Sequence, residues 1–393
     1  MKTSRRRLPS VLVATALVAC AAAAAPSAAA GTAPAGPTSA AAPSADDAQA
    51  LSLPEPAGPF PVGMTPIHLV DEDRADPWRP EEHRELMVSL WYPAVPHGEP
   101  APYTTEAVSA AIIEAVGLPL APDLLTTVET HSFDRARALP GKRPLVVLSP
   151  GASLSRESLT ALAEELASRG YVVAGVDHTY EARGVEFPDG RVAGCLLCEL
   201  PSSRELGAQV TRGRALDISF VLDELTHGRV WRHGPKIDAR HIAVAGHSLG
   251  GSTAAAVMVD DHRVDAGVNL DGTFQVDFPE SGEDDAFLMM GKGDHHLGGD
   301  EGDAPNWADN LARLDGPKLW LQMQYANHGS FTDQMLFLEQ LGLPVSGTVG
   351  GARGVEITKA YVGAFLDRHL KEMDAPLLDG PTDEYPEIVF RAE

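Results

Sequence analysis

The chain is short of positive charge. Its 31 Lys and Arg residues face 55 Asp and Glu, for a net charge of −24. A surface so charged has nothing with which to neutralise a phosphate backbone, which excludes a nucleic-acid partner; the excess acid serves solubility. Cysteine is scarce too, with three residues in all. Cys20 falls in the N-terminal segment, which leaves Cys195 and Cys198 in Gly-Cys-Leu-Leu-Cys-Glu. With no second pair, a four-cysteine zinc site is excluded, and in an exported chain a disulfide pinning one loop is expected. There is no internal repeat, and no second linker divides the globular part. What is present in quantity is apolar: 44% of 393 residues, enough for a sizeable core in one large domain or two ordinary ones.

The N-terminus reads as a targeting segment. Lys2, Arg5, Arg6 and Arg7 precede an apolar stretch over 8–25, which is short of a comfortable membrane span, and Ser27-Ala-Ala-Ala offers small-residue cleavage sites. A signal peptide over 1–30 and export are therefore expected. Ser4-Arg-Arg-Arg-Leu resembles a twin-arginine signal, and Leu17-Val-Ala-Cys20 resembles a lipobox that would anchor the protein through Cys20. Residues 31–57, mostly Ala, Pro, Ser, Gly and Thr, read as a flexible tether, with a catalytic domain over 58–393.

Within that domain apolar strand runs alternate with helical patterns. Strands are expected over 86–92, 144–149, 171–176, 264–270, 287–290 and 319–323, and helices over 106–116, 155–169, 204–225 and 357–370. The unbroken run Pro-Leu-Val-Val-Leu-Ser ending at Ser149 is of the kind found in a parallel sheet covered on both faces. Residues 178–202 read as a long polar loop carrying the cysteine pair. The alternation predicts an α/β fold with a mostly parallel central sheet and helices on both faces.

The most informative run is Gly246-His-Ser-Leu-Gly250, placed between an apolar strand and a small-residue helix. A Gly-x-Ser-x-Gly in that setting is the nucleophile elbow of α/β-hydrolases, and the glycines leave room for a strained serine at the top of the sheet. A serine hydroxyl needs a base, and the base an orienting acid. In this fold the chain order is Ser, Asp or Glu, then His. His328, just after the strand over 319–323, is the candidate base; His247 is read as packing. Two acids follow strands, Asp271 and Asp294, and spacing does not separate them. For the oxyanion hole, the backbone N–H of Leu249 and one from Ser149-Pro-Gly-Ala-Ser are expected, with Ala152 as the second donor. Trp91, Trp307 and Phe331 are candidates for either pocket lining or core. The acidic stretch over 295–303 fits no zinc or EF-hand spacing and reads as a solvated loop, with calcium bound there for stability as the alternative.

These residues resemble the platelet-activating factor acetylhydrolase family, meaning the secreted plasma type and its bacterial relatives, over about residues 86–328. The resemblance rests on the runs at 144–151, 166–178, 246–251 and the Leu-Asp-Gly at 270–272. It implies a triad of Ser248, Asp271 and His328, so it favours Asp271 over Asp294, with Ala152 and Leu249 as oxyanion donors and no cofactor. The family's usual Ser-His-Gly is Ser149-Pro150-Gly151 here, and the cysteine loop also departs from it. The expected function is an exported serine ester hydrolase acting on short acyl esters, including the sn-2 acyl group of phospholipids. A lipase or polyester hydrolase, an amidase or peptidase, and a non-catalytic surface binding protein on the same fold are the alternatives.

Overall fold

A computed structural model describes residues 51–227, 230–231, 234–293, 307–345 and 349–391. The expected signal peptide with Cys20, the tether up to residue 50, Asp294 and the stretch over 295–303 lie outside the described residues. In chain order the elements are β1 (Val62–Ala75), β2 (His83–Pro93), α1 (Glu106–Val116), β3 (Ser132–Asp134), β4 (Lys142–Ser149), α2 (Thr160–Ser168), β5 (Val172–His178), β6 (Val185–Glu186), β7 (Val192–Ala193) and α3 (Arg204–Thr226). They continue with β8 (Lys236–His247), α4 (Leu249–Asp260), β9 (Ala266–Leu270), β10 (Ala286–Lys292), α5 (Trp307–Leu311), β11 (Lys318–Met323), α6 (Asp333–Gln340), α7 (Gly351–Lys371) and β12 (Ile388–Arg391).

Ten of the strands form one sheet in the order β12-β11-β10-β9-β8-β4-β5-β2-β1-β3. The centre, from β5 to β11, is parallel throughout; β2 and β12 join it antiparallel. Its strands are buried on both faces, which explains their unbroken apolar runs. Side-chain alternation still sorts them. Val146, Leu148 and Val173 pack with Leu162 and Leu166 of α2 and Tyr361 and Phe365 of α7. Leu145, Val147 and Val172 pack with Ile218 and Leu222 of α3 and Ala254 and Met258 of α4. This is the α/β-hydrolase architecture the pattern predicts, with helices on both faces.

Three expectations need correction. The tether is shorter than expected at its C-terminal end: Leu51 and Leu53 are buried against Tyr103, Leu125 and Phe337, and Leu53 N and Glu129 N bond across to Glu129 O and Leu51 O at 3.0 and 2.8 Å. Two leucines give that end the apolar area the Ala/Pro run before it lacks. The helix expected over 155–169 is a 3₁₀ turn, Arg156–Leu159, followed by α2; Asp177 Oδ1 accepts the Arg156 backbone N–H at 2.7 Å and ties that turn to β5. Trp91, Trp307 and Phe331 are all buried core residues, so the pocket-lining alternative falls.

Candidate active site

Ser248 sits where β8 ends and α4 begins, with φ 56° and ψ −120°. A non-glycine residue there stores on the order of 1–3 kcal/mol and persists only where its surroundings dictate it. They do. Ser248 N donates to Leu270 O at 2.8 Å, and its own carbonyl accepts from Gly251 N and Ser252 N at 2.9 and 3.2 Å. A Cβ on Gly250 would fall 1.9 Å from Ser149 O, and one on Gly246 2.3 Å from the Gly250 backbone. Both glycines of the elbow are required by close backbone approach, and together they press β4, β8 and α4 into one corner.

Asp271 follows β9, itself at φ 55° and 2% exposed. Its Oδ1 accepts from Lys292 N at 2.8 Å. Its Oδ2 lies 2.6 Å from His328 Nδ1, the length of a charge-assisted bond. A carboxylate there accepts a hydrogen bond from Nδ1–H, which leaves Nε2 as the basic nitrogen. His328 opens a 3₁₀ turn, His328–Phe331, after β11. Asn327 caps that turn: its side chain accepts from Gly329 N at 2.9 Å, and its own N–H donates to Ser330 Oγ at 3.0 Å. The imidazole is about half-exposed, while the acid behind it is buried, so the base opens to solvent from a dry support.

His247 does more than pack. Its Nε2–H donates to the His328 carbonyl at 2.7 Å, and the two rings lie 4.5 Å apart. Burial, and then the His328 charge, hold His247 down to about 3, so the ring stays neutral against its neighbour. Nothing in the sequence marks this contact, because it joins residues 81 positions apart.

The expected oxyanion donors lie at the start of α4 and in the turn after β4, two segments that approach each other at the elbow. Leu249 is the first residue of α4, where N–H groups have no intrahelical acceptor. Ala152 is exposed in the turn after β4. Its neighbour Gly151 stands against the elbow: a Cβ there would meet His247 Nδ1 at 2.9 Å and Ser248 Cβ at 3.3 Å. Ser153 N donates to Glu181 O at 2.9 Å, so the turn is bound to the loop that follows β5. Beyond the β6–β7 hairpin, which interrupts the loop expected over 178–202, Cys195 and Cys198 are joined by a disulfide with Cα atoms 5.3 Å apart. Among the described residues, no group of three or more His, Cys, Asp or Glu could hold a metal ion.

The fold and its parts have close counterparts. A solved ferulic acid esterase from Streptomyces cinnamoneus is 43% identical, with a TM-score of 0.77, over 88% of this chain and all of that one. Residues 47–185 match the family described as platelet-activating factor acetylhydrolase, isoform II. A probable 1-alkyl-2-acetylglycerophosphocholine esterase from Arthroderma benhamiae is 29% identical over 63% of this chain and 66% of its own length. Over these parts the chain resembles the platelet-activating factor acetylhydrolase family. The canine platelet-activating factor acetylhydrolase is 30% identical over 33% of this chain. The aligned parts span 66% of the fungal relative and 35% of the canine one. The likeness to the two esterases places the chain among ester hydrolases.

Proposed function

We propose that the protein is an exported serine carboxylic-ester hydrolase. Ser248 Oγ attacks the ester carbonyl carbon while His328 Nε2 takes its proton. The negative charge on the former carbonyl oxygen is met by the N–H groups of Ala152 and Leu249. The C–O bond to the alcohol then breaks, and the alcohol leaves with the proton from His328. Water repeats the sequence on the acyl-enzyme, and Asp271 steadies the imidazolium in both halves. The observation that carries this reading is the 2.6 Å Asp271–His328 contact beside a serine held at φ 56°. Export rests on the basic and apolar segments at the N-terminus.

The substrate is a small ester with an acyl group of limited length, which includes the sn-2 position of a phospholipid. A second reading, a hydroxycinnamate ester, is favoured by the likeness to the ferulic acid esterase, which runs over the whole of that chain at 43% identity. One panel decides: p-nitrophenyl esters of two to sixteen carbons, methyl ferulate, and a 2-acetyl phospholipid, each beside Ser248→Ala. Turnover of short esters that the variant lacks supports the hydrolase. Methyl ferulate turned over faster than acetate selects the second reading. An inert wild-type protein overturns both.

A further inference from the structure

A second Ser, His and Asp string lies behind the first. Ser149 Oγ is 2.9 Å from His178 Nε2, and His178 Nδ1 is 2.8 Å from Asp217 Oδ2. All three are at most 1% exposed. Asp217 also holds the Arg84 guanidinium through two bonds, at 3.0 and 2.6 Å, and takes Arg74 Nη2 at 2.6 Å. Arg84 in turn donates to Asp76 and to the Thr179 carbonyl. Burial would raise the Asp217 carboxyl, but the Arg84 charge and the His178 bond overrule it and hold it ionised. Burial, then the Arg214 charge, push His178 below its ordinary value, so the ring is neutral. With Nδ1–H given to Asp217, Nε2 is left as an acceptor and Ser149 Oγ–H donates to it.

Sealed from solvent, this string meets no substrate. What it holds is the last residue of β4, directly before Pro150-Gly151-Ala152. A parallel tie fixes the next residue: buried Arg214 donates from Nη1 to Pro150 O and from Nε to Glu181 Oε2, both at 2.6 Å. Glu181 then accepts from Ser153 N through its carbonyl. The turn bearing Ala152 is thus gripped at Ser149, Pro150 and Ser153, on both sides of the residue expected to donate.

We propose that Ser149–His178–Asp217, with Arg214 on Pro150, is a positioning device for the oxyanion turn, which sets where the Ala152 N–H points when charge develops on the substrate. The inference rests on the ester-hydrolase reading for its catalytic consequence, but not for the grip itself. Ser149→Ala removes one oxygen and no backbone contact; Arg214→Lys keeps the charge and loses the fork that reaches two acceptors. Each variant should lower kcat about 10- to 100-fold with KM within about twofold, since a misplaced donor is missed in the transition state more than in the bound ester. Hydrogen exchange of the Gly151, Ala152 and Ser153 amides should speed up in the same variants, while the amides of β9 and β10 stay as in the wild type. Unchanged kcat in a folded variant, a loss confined to KM, or unchanged exchange at the turn overturns the proposal. A wild-type protein without ester turnover would defeat the hydrolase reading alone, and the exchange data would still decide whether the device grips the turn. If Ser149→Ala does not fold, Arg214→Lys carries the same test.

Discussion

The proposed triad of Ser248, His328 and Asp271 and the buried string of Ser149, His178 and Asp217 have nearly equal His–Asp distances, 2.6 Å in His328–Asp271 and 2.8 Å in His178–Asp217. They differ in surroundings. His328 is about half-exposed, and its serine stands at a strained junction that begins a helix. His178 is sealed, and its serine lies in the regular strand β4, paired with Gly246. The first string has a route to solvent and helix-end amides beside it; the second has two arginines on its acid and no opening. Composition and spacing make neither of them catalytic. Access, a backbone that offers the hydroxyl, and helix-end amides beside it set the proposed nucleophile apart from the brace.

The largest effect that would break this comparison is on turnover. Ser248→Ala should lower kcat about 10⁶-fold, the scale at which loss of a triad nucleophile leaves only the oxyanion hole and binding. Circular dichroism and melting should be those of the wild type, because alanine accepts the same φ as serine. Substantial turnover in the pure variant would remove Ser248 from the mechanism.

The two acids should then part company. Asp271→Asn should cost about 10⁴ in kcat through the wrong His328 tautomer, with a small change in stability. Asp217→Asn should act chiefly on stability. It leaves Arg84 buried with less carboxylate to face, a loss of about 3–5 kcal/mol in stability by denaturant melts. Equal melting midpoints for the two variants would dissolve the distinction between site and brace.

The buried histidines predict a third, smaller difference. His247 is held down to about 3 in the folded protein, against about 6.5 in the unfolded chain. Between those values the unfolded state binds the extra proton, so stability falls as pH drops from about 6.5 toward 3, by on the order of 4 kcal/mol at the acid end. His178 is shifted in the same direction and adds to the fall. The melting temperature of His247→Gln followed over that window should decline less steeply than the wild type's. Parallel curves would mean that His247 is not held neutral.

How much of this the sequence discloses follows from where each part is encoded. The elbow is local: one strand, one turn and one helix carry it within residues 240–260, so it is legible. The α/β alternation is legible for the same reason. The acid is not decided by position, since Asp271 and Asp294 both trail strands; the family resemblance points to Asp271, and the bond to His328 is seen only with the sheet assembled. The strand β1, next to the edge strand β3, escapes notice because Pro66 interrupts its pattern; the fold tolerates the proline because β3 pairs only with Val62–Met64, so on that side Pro66 has no ladder to serve. The brace is invisible because β2, β4, β5 and α3 each give it a residue. Its one trace in sequence is on α3, where Arg214 and Asp217 share the face that carries Ile218 and Val221 into the core.

The cysteine loop, which bonds back to the segment after His178, makes the last test. Leu197 N bonds to Tyr180 O at 3.1 Å, two residues beyond His178, and Ala182 bridges to Ser153 of the oxyanion turn. The disulfide closes a loop over a separation of only three residues. So short a closure restricts the unfolded chain little, and the chain-entropy estimate is about 2 kcal/mol at most. Cys195→Ser with Cys198→Ser should therefore lower stability by no more than that. Because Glu181 and Arg214 hold the oxyanion turn without help from the sulfurs, kcat on a short ester should stay within about threefold of the wild type. A loss as large as that of Arg214→Lys would mean that the disulfide, and not the buried arginine, fixes the loop against Ser153, and the brace would then extend to the surface.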